Sequence, residues 1–290
     1  MWLRILAIVF PIFIIVMIGF AYGRKHRPDM AAANGLNMAV FLPALIFSAL
    51  AGKTFDLASN TQLAMGGAVV VLGSGLLAWP LAKLLAYQPK TLVPPVMFNN
   101  AGNMGLPLLA LAFGEQALGA AVVLLLVETL LQFGLTPWLL QGRLHPRMIW
   151  REPVFAAALL GLMFSLTGWG VWPPLMSAAK LLGDISVGLM IFALGVRLST
   201  AKLGSVRIGL VAAVATPVTG MLVAWLWGTA TGLKDHELDM LVIFGALPPA
   251  VSNFIFAERH HQEPDKVASM VLIGNAAAVL FVPLALALRL

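Results

Sequence analysis

Asn99 to Pro107 reads NNAGNMGLP, and Ala246 to Ala257 reads ALPPAVSNFIFA. Both stretches place Pro and polar side chains, the first with Gly as well, inside an otherwise apolar run. The chemistry these residues offer is binding. An Asn amide supplies donors and an acceptor, and a Ser hydroxyl supplies both. Asn100 and Asn103 are expected to hold a guest through side-chain N–H, with Asn99 beside them. The backbone after Gly105 would offer the positive end of a restarted helix, whose first N–H groups have no partner in their own helix. Ser252 and Asn253 would supply the other half of the site, while Pro107 and Pro248 hold the two breaks open. Such a site suits an anion, a carboxylate in particular, without Arg or Lys. Ser48 could face it from another helix; a hydroxyl bonded to its own helix backbone is the equal alternative.

Polar breaks in an apolar chain carry a cost. Pro removes a backbone donor and clashes with the preceding turn. Gly weakens a helix by about 1 kcal/mol relative to Ala. Backbone groups left unpaired in hydrocarbon cost several kcal/mol each, so a break survives only where protein buries it or where it lines a wet cavity. One such stretch could be a packing kink. Two at corresponding places in the chain point to a transport site.

Two acidic residues fall inside apolar runs. Glu128, with Gln132 one turn on, is a candidate for proton coupling, since an intramembrane carboxyl that gains and loses a proton could link protons to transport. A neutral carboxyl bonded to Gln132 is the alternative. Asp184 lies one turn after Lys180, a spacing that lets the two pair on one helix face. The chain has no Cys, and its five His fall in predicted loops. Disulfides and thiolate chemistry are therefore excluded, and no nucleophile–base pair or acid dyad sits within the apolar runs. No enzyme activity, metal or cofactor is expected.

The elements that must carry these residues are membrane helices. Of 290 residues 60% are hydrophobic and 10% charged, with mean hydropathy +0.94, against about 25% charged in soluble domains. At roughly 20 apolar residues per crossing, ten segments are predicted: Ile5–Tyr22, Met30–Ala51, Gln62–Leu85, Leu92–Phe113, Ala117–Leu140, Val154–Val171, Leu175–Leu198, Val206–Ala230, Met240–Ala257 and Val267–Leu288. The net charge of +6 reads as membrane orientation rather than nucleic-acid binding, because the basic residues sit in short loops. With the N-terminus outside, thirteen of the 18 Lys and Arg fall on the cytoplasmic side. A plasma (inner) membrane protein with both termini outside is expected.

The longest connection, Gln141–Pro153, divides the chain into residues 1–145 and 146–290, each with five segments. Five is odd, so the second half enters the membrane inverted, a common plan for secondary transporters. The expected fold is an all-α polytopic membrane protein of two inverted five-helix repeats, with segments four and nine broken.

These stretches resemble the auxin efflux carrier family, which includes bacterial permeases and the plant PIN carriers. NAGNMGLPLL is similar to the family's crossover in helix four, and the run from Ala246 through Pro283 to its helix nine and ten signature. FLPALIFSAL, Phe41–Leu50, is similar to its second-helix Pro pattern. Asn100 and Pro107 match the first motif, and Pro248 the second. The resemblance implies a fold like that of sodium/bile-acid symporters and Na⁺/H⁺ antiporters. Helices 1, 2, 6 and 7 would form a scaffold, and helices 3, 4, 5, 8, 9 and 10 a transport domain that moves like an elevator. It implies a small organic anion as substrate, a carboxylate or an auxin-like acid, and allows a homodimer through the scaffold helices. A sodium- or proton-coupled symporter or antiporter on the same plan is the alternative. The chain departs from the family's pattern at Gly274 and Asn275, where bacterial members often have Ser-Thr, and at Asn253.

Overall fold

The structure is a computed structural model describing residues 2–52, 57–142, 152–200 and 204–289. Among the described residues there are helices, turns and one isolated bridge, and no strand. The helices are α1 (Trp2–His26), α2 (Ala31–Leu50), α3 (Leu57–Leu84), α4 (Pro89–Met97), α5 (Ala101–Phe113), α6 (Leu118–Gln141), α7 (Pro153–Thr167), α8 (Pro173–Thr200), α9 (Val206–Thr231), α10 (Asp235–Gly245), α11 (Ser252–Arg259) and α12 (Pro264–Arg289). Seven spans, carried by α1, α2, α3, α6, α8, α9 and α12, are long and apolar enough to cross a membrane.

Predicted segment four is two helices, α4 and α5, and segment nine is two helices, α10 and α11. Segment six is shorter than expected. Its helix, α7, stops at Thr167 because Gly168 takes a left-handed conformation (φ 68°) and Pro173 and Pro174 follow, the usual way a helix ends. Segment nine starts earlier, at Asp235, where Asp235 and Glu237 suit the positive end of the first turn. The expected Lys180–Asp184 pair does not form: both residues are exposed and neither belongs to an ion pair. Residues 143–151 of the long connection, with the division at 145–146, lie outside the described residues, as do Lys53 and Lys202.

Prolines set the local irregularities. A five-residue π turn, Asn37–Phe41, interrupts α2 and ends two residues before Pro43. A second, Ala101–Gly105, opens α5 and ends two residues before Pro107. Pro cannot donate to the carbonyl four residues back and its ring crowds that carbonyl. A wider turn immediately before it relieves the crowding, and such turns gather at functional sites.

Helix α1 lies along α8, α2 packs on α7 and α8, and α9 packs on α3, α10 and α12. The side chains of Phe98 and Phe244, one at each break, are fully buried, together with Leu92, Leu106 and Leu124. The breaks therefore sit inside protein, which is what their unpaired backbone requires.

Candidate functional site

The two breaks meet. Asn99 and Pro249 form an isolated antiparallel bridge. Asn100 N–H donates to Pro248 O at 2.7 Å, and Ala250 N–H donates to Phe98 O at 3.0 Å. Each interruption thus satisfies part of the backbone that the other leaves open. Asn100 O then accepts from Met104 N–H (3.2 Å) and Gly105 N–H (2.9 Å), which starts α5.

Side chains complete the junction. Asn99 Nδ2 donates to Phe244 O at 2.8 Å, and Asn253 Nδ2 to Phe98 O at 2.9 Å. Asn100 Nδ2 donates to Asn275 Oδ1 at 2.9 Å, and Asn275 Nδ2 donates to Pro249 O at 3.0 Å. Gln132 joins in from α6: its Nε2 donates to Asn253 Oδ1 at 3.2 Å, and its Oε1 accepts from Ser252 Oγ at 2.9 Å.

Against this junction lies a cavity of about 260 Å³. One wall comes from the breaks and α6: Asn99, Asn100, Asn103, Glu128, Gln132 and Ser252. Helix α2 adds Asn34 and Asn37 to the lining, and α8 adds Met190, Ala193 and Arg197. The cavity lies toward the end of the bundle where α2 and α7 begin and α8 ends, the end to which the positive-side rule assigns the basic loops.

The expected site residues divide. Asn99, Asn100, Asn103 and Ser252 line the cavity. Asn253 is buried behind it and serves the junction. Pro248 and the buried Pro107 shape the breaks without lining it. Gly105 is where Leu247 approaches: a Cβ there would lie 2.5 Å from Leu247 Cδ1. Ser48 donates to Leu45 O at 3.0 Å, so it bonds its own helix, the alternative weighed for it. Glu128 lines the cavity with both carboxyl oxygens buried and unpartnered. Its polar neighbours are the backbone N–H groups of Asn99 and Ala101, although neither completes a hydrogen bond of ordinary geometry. It makes no bond with Gln132, whose amide is engaged elsewhere.

Three contributors escape a reading of the sequence. Arg197 sits beside the run LST that ends α8 and reads as a loop cation, yet it is half-buried and lines the cavity. Asn34 and Asn37 carry only a weak signal, two amides ahead of Pro43, because a π turn has no sequence signature of its own.

Paired helix breaks buried in an apolar bundle, with a cavity lined by amide side chains against them, are the arrangement of a membrane transport protein. The family model described as membrane transport protein matches residues 4–142 and 139–286. The chain belongs to this family, as a bacterial-type member of the auxin efflux carriers, a family of membrane transporters rather than of enzymes. It is 25% identical to the uncharacterized transporter YfdV of Escherichia coli over 289 residues, 86% of each chain. It is 28% identical to auxin efflux carrier component 1 of Arabidopsis thaliana over 155 residues, 49% of this chain and 25% of that one. A probable auxin efflux carrier component 1c of rice is 27% identical over 154 residues, 49% and 26%. The match spans about a quarter of the length of these plant relatives.

Proposed function

We propose that the protein is a secondary carrier of small organic anions, carboxylates or auxin-like acids, working by elevator-type alternating access. The substrate sits where segments four and nine cross. The observation that carries this reading is the cavity itself, which touches both breaks and Arg197. A carboxylate between them would meet a guanidinium suited to two parallel hydrogen bonds and the N-terminal end of α5. In this reading residues 1–145 and 146–290 are inverted repeats, α1, α2, α7 and α8 are the scaffold, and the remaining helices move past them. The termini face outward in the plasma (inner) membrane, and the cavity faces the cytoplasm. Exposed Lys180 and Asp184 on α8 favour a second copy against that scaffold face, since charges do not face lipid cheaply.

A coupled mechanism is the second reading, and Glu128 favours it. A buried carboxyl with no partner at the cavity wall can take up a proton or a sodium ion together with the guest.

Thermal melting of the purified protein against carboxylates and indole acids tests the first reading, because a ligand raises the melting temperature by mass action. Several acids should stabilise the wild type and Arg197→Gln should not respond. A wild type that no acid stabilises would refute the carrier reading. Flux into proteoliposomes under separate Na⁺ and H⁺ gradients tests the second.

A further inference from the structure

The end of α5 that would receive a guest's charge already has an acid of the protein's own beside it. Glu128, 3% exposed, reaches the cavity wall from α6, and the backbone N–H groups of Asn99 and Ala101 are its polar neighbours. These are the amides at which α5 starts, where a helix has donors without acceptors and a positive dipole end. Ala101, Gly102 and Asn103, the residues that open α5, line the same cavity. A guest carboxylate at this end and the Glu128 carboxylate therefore compete for one positive end.

The charges nearby do not relieve that competition. Among the described lining residues Arg197 is the one cation. It stays charged at every working pH, and it balances one negative charge, not two. Helices α2, α5 and α7 carry no Asp, Glu, Lys or Arg. Lys83 is exposed in the last turn of α3, and Glu258 and Arg259 are exposed at the end of α11. Lys90 of α4 donates to Leu140 O, and Glu115 precedes α6, each about three turns along α6 from Glu128. Two carboxylates in one buried site do not both stay ionised. A sodium ion does not suit the place, because a hard cation gathers several oxygen ligands. Here the groups beside the carboxyl are N–H donors, and its own two oxygens are buried. A proton needs only one of those oxygens.

We infer that the guest's charge and that of Glu128 exclude each other at the start of α5. The empty protein holds the Glu128 carboxylate there, and each guest carboxylate enters with one proton that neutralises it. This rests on the carrier reading above and deepens it: the co-transported ion is a proton, moving in the same direction as the anion. The site on the moving helices then carries one negative charge both empty and loaded, and a monocarboxylate crosses with no net charge.

The test pairs binding with flux, both on the full-length protein. In thermal shift with lactate or benzoate, acids that stay ionised over about pH 5.5–9.5, the half-saturating concentration should be flat on the acid side and then rise about tenfold per pH unit. Glu128→Gln should bind at the wild type's acid-side concentration at every pH. In proteoliposomes, wild-type lactate uptake should follow an inward proton gradient, need no Na⁺ and ignore a potential set with potassium and valinomycin. A slope within one preparation does not depend on how much of a variant folds. Wild-type binding indifferent to pH would overturn the inference and leave the carrier reading standing. So would the same slope in Glu128→Gln, or uptake that requires Na⁺ or follows the potential. Binding of no acid at any pH would overturn both.

Discussion

Asn275 on α12 accepts the side-chain amide of Asn100 at 2.9 Å and passes its own amide to Pro249 O at 3.0 Å. One side chain thus holds both breaks. The junction is a three-part object, and α12 belongs to it as fully as the two interrupted segments do. A second bond from Asn275 Nδ2 to Val271 O, 2.8 Å away in the same helix, fixes which way the amide faces.

Replacing Asn275 therefore damages both breaks at once. Asn275→Leu leaves Asn100 Nδ2 and Pro249 O without partners in a buried place, at about 1–3 kcal/mol each. We expect its melting temperature to fall by roughly 5 °C or more and its transport to be lost. Asn275→Asp, held neutral by burial, keeps an acceptor for Asn100 and has one O–H to offer where the amide gave two N–H groups, and should melt between Asn275→Leu and the wild type. Melting curves of the three purified proteins check this. Equal melting of Asn275→Leu and the wild type would show that the junction holds without α12.

The neighbouring position sets how closely α12 approaches. A Cβ at Gly274 would lie 2.4 Å from Pro249 Cδ and 2.9 Å from its Cγ. Pro249 is pinned by its bridge to Asn99, so the ring cannot retreat without opening the junction. Gly274→Ser should destabilise by about 1–3 kcal/mol, as overpacking does, and should slow transport. Gly188, with nothing within 4 Å of its Cβ position, is the control: Gly188→Ala should melt at or slightly above the wild type, because Ala favours the helix.

The breaks were legible because Pro, Gly and Asn are costly in a membrane helix unless something repays them. Pro107, Pro248 and Asn100 announced the junction from composition alone. Its internal wiring was not legible. Asn100 and Asn275 are 175 positions apart, and nothing local marks them as partners. Asn100 reads as a donor to a guest; the structure gives one of its two amide N–H groups to Asn275 and places the residue at the cavity wall. Arg197 was hidden by position, since an Arg one turn from a helix end looks like a loop charge until the packing of α2 against α8 turns it inward. The outer boundaries of α7 and α10 were missed by a turn, Gly168 and Asp235 being ordinary end signals within less regular surroundings.

Glu128 separates two ways the carrier can work. Its carboxyl has no partner, lies beside the first amides of α5, and shares the cavity with Arg197. If it carries the coupling proton, Glu128→Gln fixes that position in a neutral form. Substrate binding in thermal shift should persist within about threefold, while uptake into proteoliposomes should lose its dependence on an imposed proton gradient. Uptake by Glu128→Gln that still follows the proton gradient would assign coupling elsewhere.

A pH-dependent tie closes the same end of the bundle. Glu263, in the turn before α12, accepts from Thr91 Oγ1 at 2.5 Å and pairs with Lys266. Gln262 Nε2 donates to Thr91 Oγ1 at 2.8 Å, so the start of α4 is bound to the start of α12. Partial burial pushes the Glu263 carboxyl up, but the bonds from Lys266 and Thr91 and the charge of Lys266 outweigh it, holding it below its ordinary value of 4.5. A carboxyl lowered by folding stabilises the fold above its unfolded pKa, and that contribution is lost as pH falls through the folded value. Glu263→Gln should therefore melt roughly 1–3 °C below the wild type at pH 7, the scale of a partly exposed ion pair. The gap should be constant down to about pH 5 and narrow below it. It should close once the wild-type carboxyl is itself protonated, because the two side chains then differ little in charge or hydrogen bonding. Melting curves of both proteins across pH 3–8 check the sign. A gap that widens toward acid would mean that burial, rather than Lys266 and Thr91, governs this carboxyl.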